Sequence, residues 1–199
     1  MLQRNSQYPG LAMPMLGICA SASGMGKTTL LEALLPALAA YGLQVSIIKQ
    51  ARADFDLERP GKDSHRMREA GAAQVLVSSP ERWVLMTERP ASDRDNDGAD
   101  LEQLAANFDP DLTDIVLVEG YRNARIPKIE VFRESLGKPL LAATDANIIA
   151  VACDTPLSVA VPQLDLNRVD SIADFILGWL ASRQQRESLA LQAPWRASA

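Results

Sequence analysis

The sequence predicts an α/β protein, a three-layer fold whose mostly parallel sheet is covered by helices on both faces. Three observations predict it. Short apolar runs of strand length alternate with stretches of helical spacing, the pattern of successive βαβ units. Two of those runs, Ile115–Val118 and Ile148–Ala152, carry no polar position, as strands covered on both faces do. A small, Gly-bearing turn joins the first apolar run to the first helical one. The 199 residues suit one domain, long enough to bury about 70% of the surface that the unfolded chain exposes.

Taken in order, residues 1–14 lack periodicity and contain Pro9, Gly10 and Pro14, and read as a flexible N-terminal lead. The domain is expected over 15–182. It opens with a strand at Met15–Ala20 and the small turn Ser21–Gly26. Leu30, Leu31, Leu34, Leu35 and Leu38 then fall at helical spacing through Thr28–Tyr41, where Pro36 predicts a kink and Gly42 a C-terminal cap. Val45–Ile48 completes a βαβ unit. A loop over Ala51–Lys62 leads to a short helix, capped by Asp63 or Ser64 and ending at Gly71. Val75–Ser78 and Trp83–Thr87 are strands about a Ser79-Pro80 turn. After a polar loop at Arg89–Gly98 come a helix at Leu101–Phe108 and the strand Ile115–Val118. Lys128–Arg133 alternates apolar and polar residues and predicts a half-exposed strand. Ile148–Ala152 is the last buried strand. Ile172, Phe175, Ile176 and Trp179 line one face of a final helix at Ser171–Ser182, and 183–199 read as a polar, then Ala-rich, tail.

Charge excludes some functions. Lys plus Arg is 20 against 25 for Asp plus Glu, a net of −5, which argues against a general nucleic-acid binder. The acid excess is local. Residues 88–114 hold nine acids and two bases, a net of −7, so the remaining residues sum to +2 and present no large field against an anion site. Two cysteines, Cys19 and Cys153, and the single His65 make neither a disulfide framework nor a zinc cluster. No basic start precedes an apolar signal run, and no stretch reaches the length of a membrane span. The expectation is a cytoplasmic protein with no membrane or nucleic-acid partner.

The informative segment is Ser21–Thr29, S-A-S-G-M-G-K-T-T. Between a strand and a helix, such a turn aims backbone N–H groups at one point, where the helix dipole also favours negative charge. Ser23, Gly24, Met25, Gly26, Lys27, Thr28 and Thr29 are therefore the expected nucleotide-binding residues, on a P-loop NTPase-like fold. Lys27 is placed to reach the β- and γ-phosphates and the Thr28 hydroxyl to ligate Mg²⁺. Ser21 stands where the usual pattern has Gly. A second, acidic partner is required at the end of another buried strand, and Glu119 follows the apolar Ile115–Val118. Glu119 is accordingly read with Lys27 as catalytic, and with Thr28 as a metal ligand. Asp56 and Asp63, in the loop after the second strand, lie where switch residues sit. Asp56 is the further candidate metal ligand, and Asp63 serves equally as a helix cap. Asp93–Gly98 opens like an EF-hand loop, but Leu104 occupies the place of the bidentate Glu. His65 has no nucleophile motif to serve.

Seven ordered blocks go further: Ser23–Leu31, Ile48-Lys49, Phe55–Ser64 (F-D-L-E-R-P-G-K-D-S), Arg68–Ala72, Arg82–Glu88, Leu117–Tyr121 (L-V-E-G-Y) and Pro127–Arg133 (P-K-I-E-V-F-R). In these the chain resembles the molybdopterin-guanine dinucleotide biosynthesis protein B (MobB) family. The resemblance implies a homodimeric, GTP- and Mg²⁺-binding accessory protein of molybdenum cofactor biosynthesis. Such a protein hydrolyses GTP weakly and assists a MobA-type guanylyltransferase acting on molybdopterin. It also implies that Asp154 accepts hydrogen bonds from guanine N1 and N2, and makes Lys62, Arg82 and Arg133 candidate contacts for a phosphate-bearing pterin or surface bases. The family's His-rich stretch after I-K is replaced by Gln50–Asp54, which has no histidine. The competing reading is a P-loop small-molecule kinase or an ATP-dependent ligase resembling dethiobiotin synthetase.

Overall fold

The computed structural model describes residues 13–51, 61–88 and 100–192, with residues 191 and 192 described through their backbone alone. The lead before Met13, Asp56, the polar loop over 89–98 and the end of the tail lie outside the described residues. The chain divides into two compact units, residues 51–99 and the remainder.

The larger unit is built on six strands: β1 (Met15–Cys19), β2 (Val45–Lys49), β5 (Ile115–Glu119), β6 (Lys128–Phe132), β7 (Ile148–Cys153) and β8 (Gln163–Asp165). Their order is β2-β5-β1-β6-β7-β8, and every neighbouring pair is parallel. Both faces are covered, as expected. Ile115 and Leu117 of β5 join the cluster that holds α1 (Lys27–Ala40) and α4 (Val169–Gln192), through Leu30, Leu34, Leu38, Ile172 and Ile176. Val116 and Val118, one residue out of phase, join Ile48 with Leu101 and Ala105 of α3 (Leu101–Ala105). The alternation is the period of two of a strand whose two faces are both apolar.

α1 begins on Gly26, whose φ of 98° starts the helix in a left-handed conformation. It runs through Pro36 and closes as a Schellman motif: Gly42 N donates to Ala39 O and Leu43 N to Leu38 O, with Gly42 at φ 80°.

Several expectations need correction. The strand at Lys128 is not half-exposed: all five residues of β6 are buried, because it lies between β1 and β7. Its polar positions are tolerated because each finds partners. Lys128 Nζ donates to Arg122 O and Ala124 O at 2.7 Å and meets Asp145 Oδ2 at 2.6 Å. Glu130 accepts from the backbone N–H groups of Leu141 and Ala142 at 2.8 Å. The last helix does not stop at Ser182 but continues to Gln192, where part of the tail was expected. Salt-bridging Arg183 and Glu187, four apart at 2.8 Å, support that polar extension without an apolar face. Among the described residues, β8 and three short 3-10 turns have no counterpart in the sequence expectation, being too brief to show a period. The expected lead ends early as well, since Met13 packs beside Val116 and Val118 in the second cluster.

The smaller unit contains α2 (Asp63–Glu69) and an antiparallel hairpin of β3 (Gln74–Ser78) and β4 (Trp83–Thr87). Asp63 is the first helical residue rather than the cap, which is Lys62 with no side-chain cap bond. Arg68 donates to Glu88 at 2.7 Å, tying α2 to the end of the hairpin. Leu76 pairs with Leu85 and Val77 with Val84, so both hairpin faces are apolar, and all four side chains are exposed, as is Trp83.

Candidate functional site

The chain connects β1 by α1 to β2 on one side of it, and later strands β6, β7 and β8 lie on the other. The strand order therefore reverses beside β1, and in open parallel sheets ligands bind at the carboxyl ends of strands at such a point. The residues after these strands are the ones of interest: Ala20 onward after β1, then Lys49, Glu119, Arg133 and Asp154 at or just past the ends of β2, β5, β6 and β7.

The loop after β1 has the geometry of a phosphate cradle. Gly24 and Gly26 adopt φ 77° and 98°, values that an L side chain resists. Met25 between them is fully buried in the core and anchors the loop, so it can offer a ligand only its backbone. Leu30 N donates to Gly26 O at 2.9 Å, the first bond of α1, leaving the preceding N–H groups pointing out of the helix end. Lys27 Nζ folds onto Ala22 O at 3.3 Å. Ser23 and Thr29 are exposed on either side. Ser21, the departure from the usual glycine, has a buried Oγ with no hydrogen-bond partner.

Glu119 comes to Thr28. Thr28 Oγ1 donates to Glu119 Oε1 at 2.8 Å, across 91 residues of sequence. A third side chain joins them that the sequence reading placed in a motif but gave no role. Lys49 Nζ lies 2.8 Å from Glu119 Oε2 and 3.4 Å from Thr28 Oγ1. The parallel register sets this up, since Lys49 is the direct partner of Glu119 in the β2–β5 ladder. Two hard oxygen donors with an ammonium against them fit a small divalent cation: the donor set is right, and a positive charge already rests there.

On the other side of β1, Arg133 Nη1 donates to Asp154 Oδ2 at 3.1 Å. The β6–β7 register pairs Phe132 with Cys153, which brings the next residue of each strand together. The Arg133 guanidinium also reaches the phosphate loop, since a Cβ added at Gly26 would sit 3.7 Å from its Nε and Nη2. Asp154 Oδ1 and the neighbouring Thr155 Oγ1 are buried without a partner. Unpaired buried oxygens cost about 1–3 kcal/mol each, so they mark a place where donors belong.

The turn after Glu119 is held rigidly. Gly120 has φ 92°, and a Cβ there would fall 2.8 Å from Gln50 Cβ. Tyr121 has φ 43°, and its N–H donates to Gln50 Oε1 at 2.8 Å. Gln50 thus binds the turn that carries the acidic residue. Lys128 holds the same turn from below through the carbonyls of Arg122 and Ala124. No sequence signal marked Gln50, because a side chain that satisfies one backbone N–H leaves no pattern.

The remaining candidates are placed differently. Lys62 and Arg82 belong to the smaller unit, where Arg82 lies 3.6 Å from Glu81. Asp63 lies 3.8 Å from Arg66. His65 faces Glu69, four residues on, at 3.5 Å. Burial and the nearby Glu130 carboxylate push the Cys19 thiol up to about 12, and burial, then the Asp154 charge, raise that of Cys153, so neither is a thiolate nucleophile at neutral pH. Among the described residues no group of three His, Cys, Asp or Glu is placed to hold a metal, and no helix is long and apolar enough to cross a membrane.

Comparison with known proteins shows which family the chain belongs to. The family described as molybdopterin guanine dinucleotide synthesis protein B matches residues 15–154. The molybdopterin-guanine dinucleotide biosynthesis adapter protein of Escherichia coli is 45% identical over 169 residues, 84% of this chain and 94% of the relative. Its counterpart in Haemophilus influenzae is 46% identical over 168 residues, 84% of this chain and 90% of the relative. A crystal structure of molybdopterin-guanine biosynthesis protein B superposes with a TM-score of 0.65 at 27% identity, covering 84% of this chain and 99% of the other. The MobB homologue of Bacillus stearothermophilus does so at 0.60 and 25% identity, covering 85% and 99%. The match runs from the start of β1 to Asp154, the same strands whose ends build the site, and the chain belongs to the MobB family.

Proposed function

We propose that the protein is a GTP-binding adapter in molybdopterin-guanine dinucleotide biosynthesis, holding nucleotide for a MobA-type guanylyltransferase that works on molybdopterin. The observation that carries this reading is the placement of Asp154, with one buried oxygen unpartnered, beside a phosphate loop to which Arg133 links it. A carboxylate there accepts from guanine N1–H and the N2 amino group, whereas adenine presents an acceptor at N1. The phosphates lie on the N–H groups of Ser23–Thr29 with Lys27 against their charge. Thr28 and Glu119 would hold Mg²⁺, which would supply charge neutralisation for the nucleotide phosphates. Slow hydrolysis belongs to the same reading: Arg133, beside the phosphate loop, has Nη1 committed to Asp154.

Lys62 and Arg82 are proposed as contacts for the pterin phosphate, and the protein as a homodimer. The exposed apolar hairpin, with Leu76, Leu85 and Trp83 on one face, supports the dimer, since a lone two-stranded hairpin is marginally stable in water. A kinase or ligase is not favoured, since the relatives 45–46% identical to this chain are named adapter proteins.

Calorimetric titration with GTP and ATP in the presence of Mg²⁺ tests the reading. GTP binds more tightly, Lys27→Ala weakens both nucleotides, and Asp154→Ala removes the preference. Equal affinity of the parent protein for GTP and ATP refutes the guanine assignment. Pull-down of a guanylyltransferase tests the adapter role, and sedimentation of Leu76→Asp/Leu85→Asp against the parent tests the dimer.

A further inference from the structure

We propose that Lys49 is a residue of the nucleotide site: before nucleotide binds, its ammonium holds the place of the divalent cation between Thr28 and Glu119, and it exchanges for that cation when the metal–nucleotide complex arrives. The inference rests on the proposed reading of Thr28 and Glu119 as the metal pair.

The geometry is that of a cation already seated. Nζ lies 2.8 Å from Glu119 Oε2 and 3.4 Å from Thr28 Oγ1, while Thr28 Oγ1 donates to the other carboxylate oxygen at 2.8 Å. The Glu119 side chain is 11% exposed, so without a counter-charge its carboxylate would be poorly solvated. Lys49 supplies that charge and keeps Thr28 and Glu119 facing one another in advance. The same contact excludes the metal. Mg²⁺ bonds oxygen at about 2.0–2.1 Å, and a dication there would press directly on the ammonium.

The asymmetry of exposure says which partner moves. The Lys49 side chain is 53% exposed against 11% for Glu119, and its four-carbon stem lets the head leave for solvent or for a phosphate. Glu119 is fixed at the end of a fully buried strand, with Gly120 and Tyr121 behind it pinned by Gln50. In this exchange one cation replaces another on a fixed carboxylate, and the displaced charge stays at the site to meet the phosphates.

Titration of the nucleotide-free protein with Mn²⁺, followed by paramagnetic resonance, tests this directly. Lys49→Met keeps the stem and removes the charge, and it binds Mn²⁺ about three- to tenfold more tightly than the parent. Lys49→Arg, which keeps the charge, stays near the parent, and Lys49→Gln repeats the result of Lys49→Met with a polar head. Glu119→Gln in the Lys49→Met background abolishes the gain. Mn²⁺ affinity in Lys49→Met and Lys49→Gln no higher than in the parent overturns the exchange, while a parent still dependent on Glu119 for its metal leaves the site reading intact. Mn²⁺ binding indifferent to Glu119→Gln throughout overturns the metal pair itself and the exchange with it.

Discussion

Replacing Lys128 by Met tests whether the floor of the site is held by one buried charge. Lys128 is 1% exposed in the middle of the sheet, and its ammonium has three partners: Asp145 Oδ2 at 2.6 Å and the carbonyls of Arg122 and Ala124 at 2.7 Å. Met matches the stem and removes the head, so little cavity arises and the loss is electrostatic. Breaking one side of a buried ion pair costs about 3–5 kcal/mol. Asp145 is 23% exposed and recovers some hydration, which lowers the expected cost to about 2–4 kcal/mol. Asp145→Asn, which strands the better-buried ammonium, belongs at the upper end of that range. Urea unfolding at pH 7, followed by circular dichroism, measures both, and Lys128→Met/Asp145→Asn loses clearly less than the sum of the singles. The pH dependence has a definite sign. Burial raises the Asp145 carboxyl, but the hydrogen bonds from Lys128 and Asn147 outweigh it and hold the group below its usual 3.8. A lowered folded-state value means stability that is present above about 3.8 and lost as pH falls through the folded value, and Asp145→Asn removes that dependence. Single-variant costs under about 1 kcal/mol, or an unchanged acid limb in Asp145→Asn, refute the reasoning.

Three further outcomes follow from the same contacts. Gly17→Ala places a Cβ 2.5 Å from Lys128 Cγ, so it destabilises by about 1–3 kcal/mol in urea melts although its backbone conformation is ordinary. Gly120→Ala combines a positive φ with a Cβ 2.8 Å from Gln50 Cβ; it costs about 1–3 kcal/mol and weakens Mg²⁺-dependent nucleotide binding in calorimetry, because the turn next to Glu119 must shift. Cys19, buried and with its thiol near 12, stays unmodified by a thiol-specific disulfide reagent at pH 8 in the native protein and reacts at the rate of unfolding; rapid native reaction contradicts the burial.

What was legible in the sequence was whatever repeats or whatever a loop must spell out. The Leu spacing of α1 and the unbroken apolar runs of β5 and β7 have periods, and these elements lie close to where they were expected. The phosphate loop is written in residue types, because its left-handed positions favour Gly and its chemistry calls for a Lys followed by a hydroxyl residue. β6 was misjudged because Lys128 and Glu130 look like solvent positions. Their partners, Asp145 and the Leu141 and Ala142 amides, come from a segment that no local pattern connects to them. Lys49 and Gln50 were missed for a related reason. Both gain their place from the β2–β5 pairing, and strand order is not a local property. The separation of residues 51–99 was likewise invisible, since helix and hairpin there look like any others in an α/β chain.

The net charge of −5 fits an anion site once the carboxylates are followed individually. Several of those in the acidic stretch are occupied with backbone amides. Asp100 accepts from Glu102 N and Gln103 N, Asp109 from Asp111 N, and Asp114 from Gln44 N. They satisfy the open N–H groups of α3, of a 3-10 turn and of the strand entry before β2, where helix dipoles and orphan donors favour negative charge. At the strand ends the balance is reversed. Glu119 is matched by Lys49 and Asp154 by Arg133, and Lys27, on a backbone carbonyl, adds a third positive charge against those two negative ones. A metal–nucleotide complex, negative overall, would thus meet a locally positive site in an acidic protein. Under the proposed exchange, its own cation would displace Lys49 without leaving Glu119 unpaired, and the freed ammonium would add to the positive charge facing the phosphates. The number that governs the site is the sign left over after each carboxylate has been assigned its partner.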